Sequence, residues 1–456
     1  MIERINISNF YSIREDVDVS FVASKDRQYS EDWIVEVGGV KLLKALLLYG
    51  SNGSGKTNVL WALDFLRRVV FKIPRDLDGE IRYKQFEFDP AYKDKDTSFD
   101  LFFFIGNTRY NYQLSLTPKY IRREEMRQYH NGNQSRRVFL REFDLSSGKN
   151  SVKFGPWVGL TTKEKQAIEE ATTRVVSVLA AYSVRNIASE LLSEIRDYFK
   201  YRFFKVYDLE NADEEVAIAL QHDSSLRALL IKMLESFHSN IVDVQVEEKI
   251  QPIPEEARKL LMQMNGKEID KEEIAKFQTI RSFKTHYIHK TPFGEFKLED
   301  GLQSEGTLAF IRCLTLFCKA IKGNWMLALD EFGAGMQAKS QNLLLNFFLK
   351  FSKEAQLIVA TQSLGLLDNE QLRRDSIAIV SKDDIGQTSV NQGIVRKIHK
   401  NTKLRQAYLT GRFTTMDPNE PDIDLNSECK SIESLLFTTD KKGGCLLYTS
   451  PSPRDA

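Results

Sequence analysis

The chain has 456 residues, 42% hydrophobic and 28% charged, which is enough apolar material for a sizeable core and enough length for two or three lobes. Its 64 basic and 63 acidic residues leave +1, a balance that neither demands nor excludes nucleic acid, because a local basic face can hide in a neutral total. No apolar run approaches the roughly 20 residues of a membrane helix. Met1-Ile2-Glu3-Arg4-Ile5 has no apolar signal core, so a cytoplasmic protein without a membrane partner is expected. Cys313, Cys318, Cys429 and Cys445 lack zinc spacing and read as reduced thiols.

In chain order, Ile5 and Ile7, then Val17, Val19 and Phe21, alternate with polar residues as strands do. Leu42 to Tyr49 is a nearly continuous apolar run, the pattern of a strand buried on both faces. After Gly50 to Thr57 comes a helix with Val59, Leu63, Leu66 and Val70 on one side. Phe99 to Ile105 and Tyr110 to Leu116 flank Gly106-Asn107, which predicts a hairpin. Thr161 and Glu164 have capping-box spacing and open a helical stretch predicted to run through Lys200. More helical pattern follows at Ser224 to Ser236 and Pro254 to Met264. Met326 to Leu329, Leu357 to Ala360 and Ile377 to Val380 then alternate with helices, as in a parallel sheet with crossovers. The expected organisation is a first α/β part over 1–120, a mainly helical insertion over 121–290, a second α/β part over 291–420, and a disordered or non-native tail over 421–456.

Gly50-Ser51-Asn52-Gly53-Ser54-Gly55-Lys56-Thr57 fits G-x-x-x-x-G-K-[ST] at every fixed position, between a predicted strand and a predicted helix. Curled backbone N–H groups and the helix N-terminus make an anion site there. Lys56 is expected at the β- and γ-phosphates of ATP and the Thr57 hydroxyl on Mg²⁺. Trp325 to Leu329 runs into Asp330-Glu331, and two carboxylates at the end of a buried strand are costly without a task. Asp330 suits the magnesium shell and Glu331 the general base that activates water. Gln362 ends the strand Leu357 to Ala360 and is expected beside the γ-phosphate, where it can hydrogen-bond but not carry a titrating charge. Ser304, Glu305 and Gly306 open an apolar helix and form a second anion cradle.

On these residues the chain resembles a family. Ile7-Ser8-Asn9-Phe10-Tyr11-Ser12-Ile13 looks like the opening strand of RecF-, SMC- and OLD-like ATPases of the ABC type. Ser304-Glu305-Gly306-Thr307 stands where that family has its LSGGQ signature, and Tyr408 to Phe413 resembles the closing segment of stand-alone OLD-like ATPases of the RloA and AbiL phage-defence kind. The resemblance implies an α/β P-loop NTPase fold of the ABC-ATPase head type, with a mixed sheet and crossover helices. It implies ATP and Mg²⁺ as cofactors and slow ATP hydrolysis. It also implies a homodimer or higher even-numbered oligomer in which one head's signature completes the other's nucleotide site. A separate effector such as a nuclease goes with this group. Gln85, before Phe86, is the candidate for the family's metal-facing glutamine. Two departures stand out: Gln362 where histidine is common, and Gly333-Ala334-Gly335 where an acidic or serine-containing turn is common.

Other features read as ordinary structure. His286 and His289 sit three apart on a predicted strand and point to opposite faces. Asp422-Ile423-Asp424 resembles a nuclease aspartate pair, but little chain remains for such a domain. Arg122-Arg123, Arg127, Arg136-Arg137 and Arg141, with aromatic residues between them, either bind nucleic acid or pair with Glu124, Glu125 and Glu142. Arg396 to Arg405 raises the same choice. A RecF-like DNA clamp therefore stands as the alternative to a nucleotide switch. A transporter subunit does not fit the long interval between Lys56 and Ser304.

Overall fold

Every residue of the strand Ala45–Tyr49 is buried, as an unbroken apolar run at a sheet centre requires. This strand lies fourth in a six-stranded sheet ordered Lys205–Tyr207, Met326–Leu329, Gln356–Thr361, Ala45–Tyr49, Ile377–Lys382, Thr388–Asn391. All pairs are parallel except the last, a hairpin. The structure is a computed structural model and describes residues 1–74, 79–130, 134–203, 205–207, 209–237, 239–253, 279–398 and 402–413.

The strand feeds two cores. Leu46 and Leu48 pack with Val59, Leu63 and Leu66 of the helix Lys56–Phe71. Ala45, Leu47 and Tyr49 face the opposite way, into the core that holds Leu314 and Phe317 of the helix Glu305–Gly323 and Leu345 and Phe348 of the helix Ala338–Phe351. Helices on both faces of a parallel sheet place the strand C-termini along one edge, where the connecting loops gather.

A second, antiparallel sheet closes over the first core. Its seven strands run in the order Lys149–Phe154, Gln134–Asp144, Ile121–His130, Thr108–Leu116, Thr97–Ile105, Ile2–Ser8, Val17–Ser20. The predicted hairpin is present, with Ile105 opposite Thr108 across Gly106-Asn107.

Three sequence expectations need correction. The run Leu42 to Tyr49 is two strands, Val40–Leu43 and Ala45–Tyr49, in different sheets. Lys44 breaks it by sending its ammonium to Leu349 O at 2.8 Å. The stretch from Thr161 to Lys200 is three α-helices, Thr162–Ala171, Val178–Ser183 and Glu190–Asp197, the last running into a π-helical turn at Tyr198–Arg202. Ser177 and Ser189 each cap a new start, accepting from the N–H groups of Ala180 and Leu192. Among the described residues, the expected helical insertion over 121–290 holds strands as well as helices. Residues 121–154 supply three strands that continue the N-terminal sheet across the expected boundary, and Ile241–Pro252, Thr279–Thr291 and Gly294–Glu299 form a further three-stranded sheet. Asp213–His222 and Ser224–Glu235 are helices that both pack on Glu305–Gly323. The period-two pattern of residues 121–144 is obscured because charged residues stand on both faces and pair across strands, as Arg137 does with the buried Glu125. Pro254 to Met264 and the tail from 421 lie outside the described residues.

Candidate functional site

The C-terminal ends of Ala45–Tyr49, Met326–Leu329 and Gln356–Thr361 meet at a cleft of about 700 Å³. Its walls include Asn52, Gly53, Gly55, Lys56, Thr57, Asp330, Glu331 and Gln362. Gly50, Ser51 and Ser54 complete the loop that leads from the first strand into the helix Lys56–Phe71. Gly55 caps that helix at φ 101°, a left-handed conformation, and no side chain bonds the open N–H groups of the first turn. A side chain at Gly55 would also collide with Thr388. The result is a bare, positively polarised helix start facing the cleft.

Lys56 is buried and donates to Gly50 O and Ser51 O, both at 2.8 Å. Burial lowers its pKa, and the nearby charges of Asp330 and Glu331 oppose that shift. Ser54 Oγ is buried with no hydrogen-bond partner, a polar atom that an anion in the loop would satisfy.

Asp330 and Glu331 follow the strand Met326–Leu329, whose Leu329 pairs with Val359. Glu331 is exposed and takes φ 54°, rare for a residue with a side chain. Its N–H donates to Asp330 Oδ1 at 3.0 Å, while Phe332 N–H reaches back to Ala360 O at 2.9 Å. Strain held this way is a mark of functional positions. Gln362, one residue past the strand Gln356–Thr361, donates its side-chain amide to Asn52 Oδ1.

The donor set suits Mg²⁺ bound with a polyphosphate. Among the described residues no cluster of three or more His, Cys, Asp or Glu side chains could hold a metal alone. Thr57 and Asp330 would instead share Mg²⁺ with phosphate oxygens and water, the usual mode for this hard cation.

Gln85 is not brought into the cleft, and Ser304, Glu305 and Gly306, expected to serve a second copy, lie apart from it. Gln85 lies on irregular backbone rather than after a strand, and its amide donates to Lys95 O at 2.5 Å. Asn9 organises that segment, accepting from Phe86 N–H at 3.0 Å and donating to Tyr92 O and Lys95 O at 2.9 Å. Ser304 caps the helix Glu305–Gly323 through Thr307 N–H, and Glu305 pairs with Arg312 at 3.0 Å. Gly306 lies against the carbonyl of Gly335, so the segment abuts the turn after Glu331 and not the phosphate loop of its own chain.

Several residues of the site gave no sequence signal. Lys382 and Asn58 line the cleft. Asn58 donates to Ser12 Oγ at 2.5 Å, Ser12 Oγ meets Thr388 Oγ1 at 2.7 Å, and Thr388 Oγ1 donates to Ser54 O at 3.0 Å. This chain of bonds ties the opening segment and the last hairpin to the phosphate loop across more than 300 residues of sequence.

The other candidates resolve as structure. Arg123, Arg127 and Arg137 all pair with Glu125, Arg122 pairs with Asp96, and Arg141 is buried. His289 bonds Asn240 and Gln303, while His286 faces Glu247 at 3.4 Å. Asp422 and Asp424 lie outside the described residues. A cavity of about 850 Å³ lies elsewhere, but its Arg373 is already paired with Asp375 at 2.7 Å. No described helix is long and apolar enough to cross a membrane.

No curated protein matches the chain. Among solved structures it is similar to the SMC head domain from Thermotoga maritima, with 14% identity, TM-score 0.39, and 86% of this chain and 98% of that one covered. It is also similar to an SMC head bound to the C-terminal winged-helix domain of ScpA, at 14% identity and TM-score 0.36 over 86% of this chain and 96% of that one. A third, an Smc head with an extended coiled coil bound to the C-terminal domain of ScpA derived from Pyrococcus furiosus, gives 15% identity and TM-score 0.33 over 86% and 95% of the two chains. Similarity at that level says nothing of activity. The profile of the family described as "AAA domain, putative AbiEii toxin, Type IV TA system" matches residues 46–368, more than half of the chain and the span from the phosphate-loop strand to past Gln362. With strand, phosphate loop, helix and paired carboxylates assembled at one sheet edge, the chain has an α/β P-loop fold and belongs to this family of AAA domains.

Proposed function

We propose that the chain is an ATP-driven dimeric switch that controls a separate effector, such as a nuclease, in bacterial defence against phage. ATP with Mg²⁺ occupies the cleft, Lys56 and the loop N–H groups hold the phosphates, and Thr57 and Asp330 face the metal. Mg²⁺, when bound, offsets charge on the β- and γ-phosphates. Glu331 takes the proton of the attacking water, and Gln362 orients that water or the γ-phosphate. Ser304 to Gly306 of a second copy close the site. The reading puts the protein in the cytoplasm, where ATP is supplied.

One observation carries it. The loop, both carboxylates and Gln362 converge on one cleft, while Ser304 to Gly306 stand apart at the start of Glu305–Gly323. A site split in this way is complete only when two heads meet. Arg122, Arg123, Arg127 and Arg137 pair with carboxylates, Arg136 bonds Gln128 and lies over the Trp157 ring, and Arg141 is buried, which weakens the DNA-clamp reading.

The test is the oligomeric state of Glu331→Gln. This variant keeps the size of the side chain and loses the base, so it is expected to bind ATP, to release no phosphate, and to form a dimer by size exclusion only with ATP. Adding Ser304→Arg is expected to abolish that dimer with ATP affinity unchanged, because a bulky cation fills the space meant for the partner's phosphate. Equal dimerisation with and without Ser304→Arg rejects the shared site. Tight ATP-dependent DNA binding by the chain alone favours the clamp.

A further inference from the structure

Gln341 is 3% exposed, in the first turns of the helix Ala338–Phe351. A buried amide must find partners, and the partners found here belong to two functional segments. Its Nε2 donates to Gly333 O and to Met336 O, each at 2.8 Å, and so holds the turn that follows Glu331. Its Oε1 accepts from Ser363 Oγ, the neighbour of Gln362. The same turn bears on the second anion cradle, because Gly335 O approaches Gly306 so closely that a side chain there would collide. One amide therefore joins the γ-phosphate end of the cleft to the start of the helix Glu305–Gly323.

We propose that Gln341 is a positioning residue that couples Gln362 and Ser363 to the turn Gly333 to Met336, so that nucleotide in the cleft sets the place of Ser304 to Gly306 at the surface. The inference rests on the reading of the cleft as an ATP site. Packing alone does not call for an amide here, since methionine has similar length and volume. The strand end does not depend on it either. Ser363 O accepts from Tyr49 OH at 3.0 Å, and Ser363 N–H donates to Thr361 Oγ1 at 3.0 Å. Removing the amide thus cuts the link and leaves the cleft standing.

The experiment compares Gln341→Met and Ser363→Ala with the wild type in ATP affinity, turnover and melting temperature. It also compares ATP-dependent association in the Glu331→Gln background. Both variants are expected to bind ATP within about twofold of the wild type and to turn over about tenfold more slowly, the pattern of an effect confined to the transition state. Association with ATP is expected to need more protein. If the melting temperature falls while turnover and association of the folded protein stay at wild-type levels, Gln341 is a structural residue and the coupling is overturned. Should Gln341→Met not fold, Ser363→Ala decides, because it keeps both bonds from Gln341 to the turn; wild-type turnover in that variant overturns the proposal. Lack of ATP binding by the wild type overturns the cleft reading and this inference together. ATP binding that is lost in Lys56→Ala, combined with unchanged turnover in Gln341→Met, overturns the coupling alone.

Discussion

The Lys56 ammonium spends its hydrogen bonds on two carbonyls of its own loop. A triphosphate offers full negative charges in their place, and bonds between charged partners are roughly twice as strong. Lys56→Ala is expected to weaken ATP binding at least about tenfold, ~1.4 kcal/mol. Calorimetry checks this, and near wild-type affinity would remove the loop from the phosphates. Gln362 is anchored to Asn52 of the phosphate loop, which holds it in the cleft. Glutamine cannot become a cation as charge builds in the transition state, so slow basal turnover and a long-lived ATP state are expected. Gln362→His is expected to raise turnover about tenfold, ~1.4 kcal/mol of barrier, with ATP affinity unchanged. Steady-state kinetics of the wild type, Gln362→His and Gln362→Ala decide it. No gain with His and no loss with Ala would take Gln362 out of the site.

Elements place these residues, and the junction of loop and helix is the tightest of them. Gly55 has φ 101° and lies against Thr388 of the hairpin strand Thr388–Asn391. A methyl group there meets both a backbone penalty and a steric one. Gly55→Ala is expected to destabilise the fold by about 1–3 kcal/mol and to impair ATP binding as the loop shifts. Urea unfolding measures the first effect and calorimetry the second; unchanged values in both would mean that the loop tolerates a side chain. The strands Ile121–His130 and Gln134–Asp144 make the complementary point. Their charged faces look helical or disordered in a list of residues, yet Arg123, Arg127 and Arg137 converge on the single buried Glu125. Pairing with another strand turns a charge run into a sheet face.

At the scale of the whole molecule, the seven-stranded sheet and the helix Val178–Ser183 enclose Glu124. It accepts from Tyr112 OH at 3.0 Å and Val178 N–H at 2.9 Å, and lies opposite the buried Arg141. Burial raises its pKa from 4.5 to about 6, with Arg141 and these hydrogen bonds opposing the shift. The folded protein therefore holds this proton more tightly than the unfolded chain. Its contribution to stability is complete below pH 4.5 and is lost as pH rises through about 6. Relative to Glu124→Gln, the wild type is expected to lose about 2 kcal/mol across that window. Urea denaturation of both proteins at several pH values checks this, and a difference that does not vary with pH contradicts it. The chain order by itself determined the phosphate loop, the paired carboxylates, the parallel strands and the family resemblance, because each depends on a local pattern: glycines at fixed spacing, carboxylates ending an apolar run, and apolar period. Only the tertiary structure decided that residues 121–154 extend the N-terminal sheet, that Gln85 stays out of the cleft, and that Thr388, Lys382 and Gln341 belong to the site or its supports. Those outcomes depend on strand pairing, burial and hydrogen bonds between residues far apart in sequence, and no local pattern encodes which distant partner a strand edge or a buried amide will meet.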